Sequence, residues 1–204
     1  MLALALIPAA AMAGSFTYHT TGQFDCGVVV GCVAANGVAS SSATIATTAL
    51  NYTAQPSLTL NAPTGATFGQ FTYNPADPAK DFTGVGFTMT LFHEDPGVGN
   101  HDFIGSVSGI LGGSSSSLYW IVSDPTSFAF AGPGGIVTTY FLNFTDPNSP
   151  GAGACAGKAN CIQLGSNNAT INGFVTQVPE PASIMLLGTG LSGLAGVIRR
   201  RMKK

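Results

Sequence analysis

An all-β fold, a β-sandwich or jelly-roll-like body, is what residues 14–177 predict, and the prediction rests on the pattern of runs, turns and missing helices. Short runs rich in Phe, Tyr, Thr, Val and Ile recur along that stretch, some with apolar side chains near every second position. Turn-forming pairs separate them: Asn74-Pro75, Asp77-Pro78, Asp95-Pro96, Asp124-Pro125 and Asp146-Pro147, with the flexible Gly112-Gly113 and Gly134-Gly135. No helix-length apolar stripe lies outside the two ends of the chain. Many short strands punctuated in this way read as a sandwich whose strand order stays open.

Taken in order, the first run is 15–24, rich in Phe, Tyr and Thr. Runs at 43–52, 57–60 and 67–73 follow. The segment 82–93 carries Phe82, Val85, Phe87, Met89 and Leu91, an almost strictly alternating face. Runs at 103–111, 118–123, 127–131, 136–144 and 170–178 complete the set, and 151–160, rich in Gly and Ala around Cys155, reads as a loop. With both ends set aside, the 204-residue chain leaves enough length for one domain with a real core.

Charge excludes one class of partner. Only 8% of the residues are charged, against roughly 25% in average soluble chains. From Gly14 to Gln177 eight acids (Asp25, Asp77, Asp81, Glu94, Asp95, Asp102, Asp124, Asp146) face two cations, Lys80 and Lys158, a net −6. Phosphate backbones are bound by Lys and Arg, so no nucleic acid is expected as a partner.

Both ends point to export. Residues 1–13 form an apolar run closing on Ala11-Met12-Ala13, an A-x-A cleavage signal, and read as a signal peptide without its basic start; translation is expected to begin upstream. Cys26 and Cys32 are six apart, as are Cys155 and Cys161, and each pair could close a small loop in an oxidising compartment. Four cysteines leave three connectivities open, local pairing being preferred. Zinc would want closer Cys spacing with clustered His.

The other end, 178–204, has an ordered composition. Val178-Pro179-Glu180-Pro181 is a stiff hinge, since each proline fixes its own φ and biases the residue before it toward extended backbone. Ala182 to Ile198 is an uncharged, mostly apolar run of 17 residues, about 25 Å as a helix at ~1.5 Å per residue and at the short end of a membrane span. Arg199, Arg200, Arg201, Lys203 and Lys204 form a basic tail that stays cytoplasmic by the positive-inside rule. Within the run, Gly188-Thr189-Gly190-Leu191-Ser192-Gly193 spells G-x-G-x-x-G, but it lacks a strand before it and an acid after it. Gly188, Ser192 and Gly196 instead place small residues on one helix face.

This arrangement resembles the PEP-CTERM sorting signal of bacterial envelope proteins: Pro179-Glu180-Pro181, a hydrophobic helix and an Arg-rich end, contiguous and in order. The resemblance covers about an eighth of the chain. It implies a Gram-negative host and processing near the Pro-Glu-Pro by an exosortase, a membrane-embedded, cysteine transpeptidase-like enzyme. The expected products are an inner-membrane-anchored precursor and a mature form at the envelope, surface or matrix.

Chemistry in the body is sparse. His93, Glu94, Asp95, His101 and Asp102 are the one cluster of ionisable groups, and Glu94, Asp95 and Asp102 are weak Ca²⁺ candidates. A polar, Gly-rich hairpin tip explains them as well, and no cofactor is expected. Glu94 with Asp95 or Asp102 could be imagined as a glycosidase pair. Gly105-Ser106-Val107-Ser108-Gly109 puts valine where a hydrolase elbow needs serine. Tyr119 and Trp120 could stack on sugar, although the chain's single Trp is better placed in a core. The expectation is a non-enzymatic surface protein, structural or adhesive in biofilm and exopolysaccharide. A carbohydrate-binding module, Ca²⁺-assisted or not, is the alternative, ahead of a secreted hydrolase.

Overall fold

The computed structural model describes residues 14–112, 117–123, 126–149, 152–164 and 168–179. They fold as an all-β protein. The strands are β1 (Ser15–Asp25), β2 (Cys32–Ala35), β3 (Ser40–Ile45), β4 (Thr48–Ala54), β5 (Leu58–Asn61), β6 (Thr64–Tyr73), β7 (Lys80–Asp81) and β8 (Val85–Asp95). They continue with β9 (Gly99–Ser108), β10 (Ile110–Leu111), β11 (Tyr119–Val122), β12 (Ser127–Ala131), β13 (Ile136–Leu142), β14 (Cys161–Gln163) and β15 (Asn168–Pro179). Single 3₁₀ turns at Pro133–Gly135 and Gly153–Cys155 are the only helical pieces among the described residues.

Two antiparallel sheets account for most of these strands. Sheet A runs β14-β11-β9-β8-β1-β5 and sheet B runs β12-β13-β15-β6-β4-β3-β2, while β7 and β10 form a small separate ribbon. The chain makes local meanders, β2-β3-β4 and β8-β9, before crossing between sheets. β15 is then inserted between β13 and β6 in the interior of sheet B.

Alternation explains the packing. Along β8 the side chains of Val85, Phe87, Met89, Leu91 and His93 are buried, and those between them are not, as period-2 geometry requires. β1 buries Phe16, Tyr18, Thr20 and Phe24 on the same rule. Rings from the two sheets meet: Phe16 of β1 lies edge-on to Tyr140 of β13 at 5.8 Å. Phe87 of β8 contacts Phe71 of β6 at 4.7 Å and Tyr52 of β4 at 4.9 Å. The sheets therefore face one another over one aromatic core, where each fully buried large side chain stabilises by about 1.5–3 kcal/mol. Buried hydroxyls there have partners: Tyr18 donates to the Thr67 carbonyl at 2.7 Å and Tyr52 to that of Phe68 at 2.6 Å.

Several element boundaries differ from the sequence reading. The run 43–52 is a hairpin, with Ile45 opposite Thr48 and Ala46 at φ 56° in the turn. Nothing in Ala46-Thr47 has the Gly or Asn signature of such a turn, so the sequence hides it. β2 and β14 went unread because each is only a few residues long and begins at a disulfide cysteine. Strand 82–93 begins at Val85, and the following one begins at Gly99, four residues earlier than read.

Candidate functional site

Of the residues singled out from the sequence, Val178 and Pro179 stand at the end of β15. They lie opposite Val137 and Ile136 of β13. Sheet B thus continues two residues into the segment that the sequence assigns to the sorting signal. Residues 1–13, Glu180, Pro181, Ala182 to Ile198, and Arg199, Arg200, Arg201, Lys203 and Lys204 lie outside the described residues. Among the described residues no helix is long and apolar enough to cross a membrane.

The cysteines pair locally, Cys26 with Cys32 and Cys155 with Cys161. The second bridge is fully buried beneath the Gly153–Cys155 turn, whereas the first closes an exposed tip carrying Val28 and Val30.

The ionisable cluster does not come together as one site. His93 and His101 sit within β8 and β9, so the hairpin tip shrinks to Pro96-Gly97-Val98. His93 is 1% exposed, with Nδ1 2.7 Å from the Tyr140 hydroxyl and Nε2 3.1 Å from the Pro96 carbonyl. A carbonyl only accepts, so Nε2 carries the proton and Nδ1 accepts from Tyr140. Burial pushes this imidazole below its ordinary value, against smaller opposing effects of the Pro96 carbonyl and the Asp95 charge.

The acids are separated too. Asp102 lies opposite Thr90 and accepts from its hydroxyl at 2.6 Å. Glu94 is four residues farther along β8, about 13 Å at ~3.3 Å per residue. Its carboxylate is held by the Ser57 hydroxyl at 2.6 Å and by His19 Nδ1 at 2.7 Å. The Ser57 hydrogen bond, ahead of the contributions from His19, keeps its pKa below the usual carboxylate range despite slight desolvation. Ser57, Glu94 and His19 are residues of a triad in the wrong order, with the carboxylate between serine and histidine. The histidine is therefore not placed by these bonds to take the serine proton, as nucleophile activation requires. Among the described residues no group of three or more His, Cys, Asp or Glu side chains could hold a metal ion.

Trp120 is fully buried between Phe87, at 5.2 Å, and Phe71, at 6.4 Å, which removes it as a sugar platform. Tyr119 is half-buried beneath the Lys158 ammonium, 4.8 Å from its ring centre. The segment Gly105–Ser108 closes β9 with Val107 buried, and Gly109 follows the strand.

The sequence reading missed the outer face of sheet B. Its strands alternate, so Thr53, Gln70, Thr170 and Asn172 point away from the core, as do Phe141 and Phe174. Phe141 and Phe174 are 39% and 41% exposed and directly opposite each other on β13 and β15. A period-2 reading of each strand's outward positions would have found the pair, had β13 and β15 been known to be neighbours.

Comparison with known families matches one model, the PEP-CTERM protein-sorting motif, over residues 177–201. No curated protein and no solved structure matches the chain. The chain thus carries a PEP-CTERM motif, which supports exosortase-dependent sorting of an exported protein and implies an envelope or surface destination.

Proposed function

We propose that this exported chain is a cell-surface or extracellular-matrix protein of a Gram-negative bacterium, processed by an exosortase at Pro179-Glu180-Pro181. Its 14–177 body is then a β-sandwich, jelly-roll-like, with a structural or adhesive role in biofilm or exopolysaccharide. The observation that carries the reading is the match over 177–201, in which motif, apolar run and basic end are contiguous. In the precursor, residues 1–13 direct export, Ala182 to Ile198 span the inner membrane, and Arg199 to Lys204 hold the tail inside. Two disulfides suit that route. A non-catalytic body is supported by the engagement of Glu94 and Asp102 in separate hydrogen bonds.

With β15 ending at Pro179, the processing site follows directly on folded sheet. The test is intact mass and C-terminal peptide mapping of the protein purified from its own host. A mature C-terminus near residues 179–182, free or bearing an added group, is expected. An intact Arg199–Lys204 tail on every mature molecule would refute processing and leave a single-pass membrane protein.

A further inference from the structure

The outer face of sheet B differs from the rest of the molecule in charge. None of its strands, β2, β3, β4, β6, β12, β13 or β15, contains an Asp, Glu, Lys or Arg. The described charges lie in sheet A, in the β7–β10 ribbon and in loops. What the face presents instead is ordered by strand register. Ser40, Thr53, Gln70 and Thr170 stand in one row across β3, β4, β6 and β15, about 14 Å at ~4.8 Å per strand.

A second row pairs Phe141 with Phe174, and Phe174 in turn with Gly65. Gly65 sets no side chain opposite the Phe174 ring, and a Cβ there would meet its nearest atom, the Gly173 carbonyl oxygen, only at 3.9 Å. Two depressions that share Thr67 border these rows: one of ≈ 260 Å³ reaches Thr170, and one of ≈ 520 Å³ reaches Asn172 and is also lined by Leu58 and Leu60 of β5, the edge strand of sheet A. The side chains of Thr53, Gln70 and Thr170 make no hydrogen bond to the described protein, so their donors and acceptors are open to a ligand.

From this placement the geometry points to the outer face of sheet B as a binding surface for a neutral polysaccharide. The Phe141–Phe174 row is its stacking platform, and the Thr53–Gln70–Thr170 row its hydrogen-bonding ladder. The face lacks what each competing occupant would need. An anionic glycan or nucleic acid would need cations, a membrane surface a basic fringe around a larger apolar area, and a second copy a predominantly apolar interface core. A chain of uncharged hydroxyls needs amides and hydroxyls to exchange hydrogen bonds with and a flat ring to cover its apolar faces, and the sheet supplies both in register. The inference deepens the matrix role proposed above and rests on that reading of the body, but binding in vitro is independent of whether the tail is processed.

The test is affinity gel electrophoresis of the full chain in polyoxyethylene-type micelles, which carry no sugar. The gels contain laminarin, hydroxyethylcellulose, dextran or galactomannan, with alginate as the anionic control. Retardation in at least one neutral gel is expected, weakened about tenfold or more by Phe174→Ala and by Phe141→Ala, and by Gln70→Ala less strongly. Both rings are surface-exposed, so folding is checked by far-UV circular dichroism. Phe174→Tyr, which keeps the ring, should retain binding and guards against a misfolded alanine variant. No retardation in any neutral gel, retardation in alginate alone, or ring variants that bind like the parent would overturn the proposal. So would loss of the face to self-association in analytical ultracentrifugation or to phosphatidylglycerol vesicles in co-sedimentation.

Discussion

Gly105→Ala places one methyl group against the only tryptophan in the chain, and the structure sets its cost. Gly105 lies in β9, opposite Phe87 on β8 and Val122 on β11. A Cβ there would stand 2.2 Å from the Ile121 carbonyl oxygen and 2.3 Å from Trp120 Nε1. Non-bonded heavy atoms rest at roughly 3.5–4.0 Å, so both neighbours would have to retreat by more than ~1 Å. Ile121 sits in the β9–β11 ladder opposite Ser106, and Trp120 is fully enclosed, so neither moves without loss. Overpacking of this kind costs about 1–3 kcal/mol, and each ladder hydrogen bond weakened adds about 1 kcal/mol. The expected destabilisation is therefore about 3 kcal/mol, or a fall in Tm of about 6–12 °C at ~2–4 °C per kcal/mol. The assay is thermal unfolding followed by intrinsic fluorescence, which a single Trp makes specific. Gly65→Ala, with 3.9 Å of clearance, is the control and should change stability by less than about 0.5 kcal/mol. If Gly105→Ala unfolded at the parental temperature with the parental emission maximum, the placement of Trp120 in the core would be wrong.

Two further perturbations read other parts of the core. Burial holds the His93 imidazole below its ordinary value, so the unfolded chain takes up its proton first as pH falls. Stability from this site is complete above ~6.5 and declines by up to about 1.4 kcal/mol per pH unit below that, levelling once the folded ring is protonated. His93→Gln should flatten the Tm–pH curve below about 6.5, and an unchanged slope would remove His93 as its source. Each disulfide closes a loop of sequence separation 6, which the chain-entropy model values at about 2 kcal/mol. Replacing Cys155 and Cys161 by Ala should cost more than replacing Cys26 and Cys32, because the Cys155–Cys161 bridge is fully buried and its loss would also leave a cavity. Urea midpoints measure the two, and the reverse order would count against the buried placement of the second bridge.

That the body is all-β was legible in the chain alone, because alternation such as that of Phe87, Met89 and Leu91 is a local property of an extended backbone and needs no knowledge of neighbours. The sequence also identified the sorting motif, since Pro179-Glu180-Pro181, the apolar run and the basic tail are contiguous in the chain. Pairing was beyond it. That β15 enters sheet B between β13 and β6, that Trp120 turns inward, and that Glu94 is held by His19 and Ser57 while Asp102 binds Thr90 all depend on register between distant segments. The Phe141–Phe174 pair shows the same division. Each phenylalanine is visible as an outward position of its own strand, but a shared surface exists only once antiparallel pairing sets residues 33 apart in sequence side by side. The physical reason is that side-chain direction is fixed by local backbone geometry, whereas strand neighbours are chosen by the packing of the whole core.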